Sequence, residues 1–162
     1  MRSRFGSAAL ALALFVAPVR AAGPFDIPLF ATPKAPAATG SARLIFAESP
    51  FGVAMTADGH ARYDVQITAA NLPAPSSLGA YHAYVAWAVS TDLAHWQRLG
   101  AVTNGTSTVG HIELDKFLLV ISAEADSAAA THSGPSVLHG NSPSSWLQTF
   151  LAHSAFFHGV TD

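Results

Sequence analysis

The 162-residue sequence contains no cysteine, and only 11% of its residues are charged. The absence of cysteine excludes both a disulfide framework and a lipid anchor attached to a cysteine. Stability must therefore come from the core alone, and the sequence has the material for one because 50% of its residues are hydrophobic.

A hydrophobic run of membrane-spanning length is also missing. Arg2 and Arg4 precede an apolar stretch at residues 8–19, which Pro18 interrupts. A spanning helix needs about 20 apolar residues, whereas a basic start, a shorter apolar run and small residues beyond it are typical of a secretory signal peptide. We therefore expect residues 1–21 to be a cleaved leader, the mature protein to be periplasmic or secreted, and no transmembrane anchor to remain.

Basic charge is scarce beyond the leader. Of the eight basic residues, five remain after residue 21, against ten acidic residues in the whole sequence. A nucleic-acid binder needs a clustered basic face, and these five are scattered, so we expect no nucleic-acid partner. The five are Lys34, Arg43, Arg62, Arg98 and Lys116.

Residues 22–40 carry four prolines and no hydrophobic periodicity. This composition predicts an extended linker. Its apolar side chains, Phe25, Ile27, Leu29 and Phe30, indicate that part of the linker lies on the following domain.

Residues 41–140 read as short strands separated by turns. The segments Ala42–Ser49 and Ala61–Leu72 alternate apolar and polar residues, which predicts half-buried strands. An Asn-Gly pair at Asn104 and Gly105 suits a tight hairpin turn. Because turn signals recur about every ten residues, we predict an all-β domain, an immunoglobulin-like antiparallel β-sandwich.

The longest apolar stretch of this region is "YHAYVAWAVS", residues 81–90. A strand that is covered on both faces reads as a nearly continuous apolar run. We therefore predict a central strand here, with Tyr84, Val85 and Trp87 as core residues.

Residues 141–162 change to helical spacing. Ser142 is a plausible N-cap and Pro143 a plausible first helical residue. The apolar residues that follow form an approximate helical stripe, so we predict a short C-terminal amphipathic helix and tail. The stripe is Trp146, Leu147, Phe150, Leu151, Ala155 and Phe157.

The stretch from Ala80 to Gly140 resembles the extracytoplasmic C-terminal domain of anti-sigma-K-type factors. The resemblance is carried by "YVAW" from Tyr84, "RLGAV" from Arg98, "VISAEA" from Val120 and "SGPSVLHG" from Ser133. It implies an immunoglobulin-like sandwich outside the membrane that serves sensing or interaction. The sigma-binding and transmembrane parts of those factors have no counterpart here, so the resemblance implies the fold and the compartment, not inhibition of a sigma factor.

Eight histidines suggest a possible copper or zinc site, because imidazole is a common metal ligand. His132 and His139 flank the Gly-Pro loop and could converge, with Glu124 nearby in sequence. Glu124 and Asp126 could also act as paired carboxylates, although solvation at a loop edge is the simpler interpretation. No hydrolase elbow, metalloprotease motif or phosphate-binding loop occurs, so we expect no enzymatic activity and no cofactor.

These observations favour an exported, non-catalytic interaction or sensing module of the bacterial cell envelope, with another envelope protein as its partner. A periplasmic metal-handling protein that uses loop histidines is one alternative. A carbohydrate-binding accessory domain is another, and it requires at least one solvent-facing tryptophan, for which Trp96 is a candidate.

Overall fold

The computed structural model describes Gly23 and residues 25–49, 52–53, 62–114 and 116–143. The predicted leader lies outside the described residues, and so does the predicted C-terminal helix beyond Pro143. The described elements are β1 (Asp26–Ala31), β2 (Thr39–Phe46), β3 (Glu48–Ser49), β4 (Gly52–Val53), β5 (Tyr63–Ala70), a 3-10 turn (Pro75–Leu78), β6 (Ala83–Ser90), β7 (Trp96–Val102), β8 (Gly105–Ile112), β9 (Phe117–Glu124) and β10 (Ser136–Asn141).

Eight of these strands form one antiparallel sheet, in the order β7-β6-β9-β10-β1-β2-β5-β8, and β3 pairs with β4. The predicted all-β antiparallel class is confirmed. Alternation in β5 is confirmed as well: Val65, Ile67 and Ala69 are buried, while Thr68 and Ala70 between and after them are exposed.

The linker prediction is wrong for residues 26–31, which form an integral strand, but the expectation that apolar residues of this segment lie on the domain is confirmed for Ile27 and Leu29. β1 pairs with β2 through its first residues, as in Asp26 opposite Arg43, and with β10 through its last, as in Phe30 opposite His139. Ile27 is fully buried. Two of the prolines that suggested a linker lie outside the strand, after its last residue, where they leave its backbone ladder intact.

The position of β1 also explains why the strands form one sheet. β2, β5 and β8 make one half and β10, β9, β6 and β7 the other, and β1 pairs with a strand of each half. The two edge strands of the sheet, β7 and β8, then lie next to each other. The Gln97 Nε2 atom of β7 donates to the His111 carbonyl of β8 at 2.8 Å. The sheet is thus nearly closed as a barrel, with a seam between β7 and β8. The predicted sandwich of two separate stacked sheets is not observed.

The Asn-Gly turn connects the two strands of this seam. Gly105 adopts a φ of 103°, in the region that favours glycine, whereas Asn104 does not have the positive φ that the predicted hairpin turn needs. However, the backbone of β7 pairs with β6, and the backbone of β8 pairs with β5. The Asn-Gly turn therefore does not join a paired hairpin. It connects the two edge strands of the sheet.

The main core fills the barrel and includes Ile27, Ile67, Ile112, Phe117 and Leu138, all at most 2% exposed. A second, smaller core of four residues lies on the opposite face of β6 and β9. It consists of Val85, Trp87, Val89 and Val120.

The apolar run at residues 81–90 is explained by these two cores. Tyr84, Ala86 and Ala88 of β6 point into the main core, whereas Val85 and Trp87 belong to the second. Both faces of the strand are covered, as predicted. Among the described residues, no helix has the length and apolarity needed to cross a membrane.

Candidate functional site

Glu124 is buried, although its neighbours in sequence suggested a solvated loop edge. The carboxylate is 0% exposed and lies beneath the loop between β9 and β10. It accepts hydrogen bonds from the Ser122 hydroxyl at 2.6 Å, from the Ser133 hydroxyl at 2.8 Å and from the Gly134 N–H at 3.2 Å. Asp126, two residues later, is exposed and accepts from the Ala128 N–H, so the two carboxylates do not form a pair.

The charged form of Glu124 is the stable one. Burial raises the pKa of the Glu124 carboxyl, but the hydrogen bonds from the serine hydroxyls and from the loop N–H groups favour the carboxylate and together hold its pKa below the ordinary value. Trp87 extends this network, since its Nε1–H donates to the Ser122 hydroxyl at 2.9 Å. The network ties the second core to the loop and leaves Glu124 without access to a substrate.

His132 and His139 do not converge. The His132 ring stacks on Trp96, with centroids 4.1 Å apart and planes 19° apart, and its edge meets Trp87. His139 instead faces Phe30 of β1 at 6.2 Å. Within the described ranges, no group of three or more histidine or acidic side chains is placed to hold a metal ion.

Trp96 is the solvent-facing tryptophan that the carbohydrate-binding alternative requires. Its side chain is 37% exposed, whereas Trp87 is fully buried. One face of the Trp96 indole is already covered by the His132 ring, and its Nε1–H donates to the Leu93 carbonyl at 3.2 Å. The Trp87 ring also meets Trp96, with centroids 6.4 Å apart and planes at 71°, so only part of the indole faces solvent.

Three aromatic rings, two of them exposed, lie at one end of the barrel. Phe25 precedes β1, Phe46 ends β2 and Tyr63 begins β5, and because these strands are antiparallel neighbours the three residues meet. Ring centroids are 5.3 Å apart for Phe25 and Phe46, and 4.9 Å apart for Phe46 and Tyr63. We call these three residues the aromatic cluster.

The aromatic cluster is open to solvent. Phe25 is 39% exposed and Phe46 is 42% exposed, whereas Tyr63 is partly buried against the main core. Aromatic rings of this size are the side chains that most often anchor protein interfaces. Their exposure side by side marks this end of the barrel as a candidate binding surface.

Two ion pairs involve residues next to the aromatic cluster in sequence, Asp26 after Phe25 and Arg62 before Tyr63. The Arg43 guanidinium donates to both carboxylate oxygens of Asp26, with Nε 2.7 Å from Oδ1. These bonds, followed by one from the Gly23 N–H, hold the pKa of the Asp26 carboxyl below its ordinary value. Just before β5, the Arg62 Nε lies 3.4 Å from Glu113 Oε1. An apolar centre with a polar rim is the usual anatomy of a protein interface.

Part of the aromatic cluster could be found from the sequence. Phe25 stands out as an apolar residue between a proline and an acid, and the strand alternation of β5 includes Tyr63. Their meeting could not be found, because it depends on β1 pairing with β2 in a register that places Asp26 opposite Arg43.

The fold and this surface define a small all-β barrel module with an exposed aromatic end. The chain belongs to the family described as SPbeta prophage-derived uncharacterized protein YoqH, whose model matches residues 45–142 and therefore more than half of the chain. The match runs from the end of β2 to just beyond β10. No curated protein and no solved structure matches the chain.

Proposed function

We propose that this protein is an exported, non-catalytic interaction module of the bacterial cell envelope, and that it binds another envelope protein through the aromatic cluster. The observation that carries the proposal is the contact of Phe25, Phe46 and Tyr63 where β2 ends and β5 begins, with two of the rings about 40% exposed. Covering these rings removes apolar surface from water, which favours association by about 25 cal/mol per Å² of surface.

The rim supports the same interpretation. The Asp26–Arg43 and Arg62–Glu113 pairs keep each charge close to a neutralising partner. A protein partner can then approach the rings without burying an isolated charge, which is the costly event at interfaces.

A non-catalytic role is supported by the environment of Glu124. Glu124 is one of the two acid/base candidates that the sequence suggested. Both of its carboxylate oxygens accept hydrogen bonds from the protein itself. Without a free oxygen or access to solvent, it cannot take a proton from a substrate.

In this proposal the fold is an immunoglobulin-like sandwich whose two sheets are joined along one side by β1. Its two layers are the halves on either side of β1, and the interaction role agrees with the resemblance to anti-sigma-K-type extracytoplasmic domains. The export signal is the basic, apolar and small-residue order of residues 1–21.

Export is tested by the N-terminus of the protein in its own host. N-terminal sequencing of protein purified from the envelope or medium should begin near Ala22. Uncleaved protein that starts at Met1 and stays in the cytoplasmic fraction would contradict the proposed compartment.

The partner is tested by cross-linking in whole cells, followed by capture of the tagged protein and quantitative mass spectrometry. We expect one stoichiometric envelope protein, and we expect Phe46→Ser to reduce its capture at least about tenfold, as loss of a central aromatic anchor does. Phe30→Ser is the matched control, because Phe30 is 59% exposed but contacts His139 outside the aromatic cluster.

Equal capture by wild type and Phe46→Ser would overturn the assignment of the aromatic cluster. An equal loss in Phe46→Ser and Phe30→Ser would show that exposed phenylalanines act nonspecifically. Circular dichroism and thermal unfolding of both variants establish that each remains folded.

A further inference from the structure

A groove opens at the end of the barrel opposite the aromatic cluster. It has a volume of about 460 Å³ and is lined by the loop Leu72–Pro75, the residues His82–Tyr84 at the start of β6, the residues Ala101–Asn104 at the end of β7, and Ser127. This volume lies in the range of small-molecule sites, and the mouth of a β-barrel is a common place for them.

The walls of the groove are held in place by side-chain hydrogen bonds. The Tyr84 hydroxyl donates to the Pro73 carbonyl at 2.9 Å. The Asn104 amide accepts from the Leu72 N–H at 2.9 Å and donates to the Leu72 carbonyl at 3.1 Å. These bonds join β6, the β7–β8 turn and the loop after β5, so the groove is formed before a ligand arrives.

The chemistry of the lining is uncharged and mainly apolar. Pro73, Ala74 and Pro75 supply apolar surface, and none of the lining residues is Asp, Glu, Lys or Arg. A charged ligand would lose water here without gaining an opposite charge, which is unfavourable, whereas a neutral ligand would not.

Two polar side chains of the lining are available to a ligand. Within the described part of the chain, neither the Thr103 hydroxyl nor the His82 imidazole has a hydrogen-bond partner. The Tyr84 and Asn104 side chains, in contrast, are occupied in holding the walls.

We propose that the groove binds an uncharged, mainly apolar small molecule that carries one or two hydrogen-bonding groups. The apolar body lies against Pro73, Ala74 and Pro75, and the polar group meets Thr103 or His82. This site is separate from the aromatic cluster, since the groove lies where β5 ends and the cluster lies where β5 begins.

Indole is a suitable probe because it is neutral, flat and carries one N–H donor. Titration of the ¹⁵N-labelled protein, followed by NMR, should give saturable shifts at Ala83, Tyr84 and Val102 to Asn104, with a dissociation constant of about 1 mM or lower. Indole-3-acetate, which has the same ring and a carboxylate, should bind at least about fivefold more weakly. Equal or tighter binding of the acid would overturn the uncharged ligand class.

Ala101→Trp fills the groove from an exposed position of β7, where an aromatic residue suits the strand. We expect it to weaken indole binding at least about tenfold. The matched control is Ala31→Trp, also an exposed strand alanine but outside the groove lining, and it should bind indole as wild type does. Absence of saturable shifts, shifts confined to Phe46 and Tyr63, or unchanged binding in folded Ala101→Trp would each overturn the proposal.

Discussion

At the scale of single residues, Glu124 is a charged side chain that the fold buries completely. Its carboxylate joins the second core to the β9–β10 loop through bonds from Ser122, Ser133 and Gly134. A buried charge is stable only when such donors surround it, so each donor that is lost costs more than an ordinary hydrogen bond.

Glu124→Gln should destabilise the protein by about 2 to 3 kcal/mol, because the amide nitrogen would face the N–H donors that now meet an oxygen. Urea unfolding monitored by circular dichroism measures the change. Asp126→Asn is the control, since that carboxylate is exposed, and it should change stability by less than about 0.5 kcal/mol. Equal effects of the two substitutions would show that the Glu124 network contributes little.

The close packing around Gly134 leaves no room for a side chain at this position. A Cβ atom at this position would lie 1.6 Å from the Ala123 carbonyl oxygen. The backbones approach closely here because the Ala123 N–H donates to the Pro135 carbonyl at 3.0 Å.

We expect Gly134→Ala to cost at least about 3 kcal/mol, as the loop must move away from β9. Gly105→Ala offers a contrast, because nothing lies within 4 Å of its Cβ position and only the φ of 103° opposes the side chain. That variant should lose about 1 to 2 kcal/mol. Thermal unfolding of both variants tests the ranking, and a smaller loss for Gly134→Ala than for Gly105→Ala would contradict it.

At the scale of the elements, β1 decides the architecture. It pairs with β10 and with β2 and buries Ile27 and Leu29 in the main core. Without it, both neighbouring strands would expose an unpaired edge and the barrel would lose part of its interior.

A protein that begins at Ala35, and so lacks β1, should fail to fold, whereas one that begins at Ala22 should fold. Within the full chain, Ile27→Ala should cost roughly 2 to 5 kcal/mol, because it leaves a cavity in the barrel. Phe30→Ala on the same strand should change stability little, since its side chain is 59% exposed. Dispersed amide signals in the NMR spectrum of the shortened protein would show that β1 is dispensable.

At the scale of the whole molecule, stability should fall in acid. The folded-state pKa of Glu124 is held below its ordinary value of 4.5, so this carboxylate stabilises the fold above about pH 4.5, and the contribution is lost as the pH falls through the lower folded-state pKa. The pKa values of Asp26 and Asp92 are lowered too, and they act in the same direction.

The acid dependence should be shallower in Glu124→Gln than in wild type. Unfolding midpoints measured between about pH 7 and pH 3 test this, and the two curves should converge as Glu124 becomes protonated in the wild type. Parallel curves over the whole range would assign the acid sensitivity to the surface carboxylates instead.

The molecule also separates its two candidate surfaces. The aromatic cluster lies where β2 ends and β5 begins, and the groove lies where β5 ends and β6 begins. Because the barrel core lies between them, the substitutions Phe46→Ser and Ala101→Trp probe two independent proposals.

The sequence by itself determined the features that depend on neighbours along the chain. Alternation placed Val65 and Ile67 on the buried face of a strand, and the continuous apolar run of residues 81–90 predicted a strand covered on both sides. These predictions held because side-chain direction in a strand repeats every two residues, whatever the partner strands are.

Only the tertiary structure decided which distant residues meet. The pairing of Phe30 with His139 makes a strand of the proline-containing N-terminal segment, and the stacking of His132 on Trp96 keeps the two candidate metal ligands apart. Glu124 is buried because a loop ten residues further along the chain folds back over it. Such contacts follow from strand register and loop closure, which local composition does not encode.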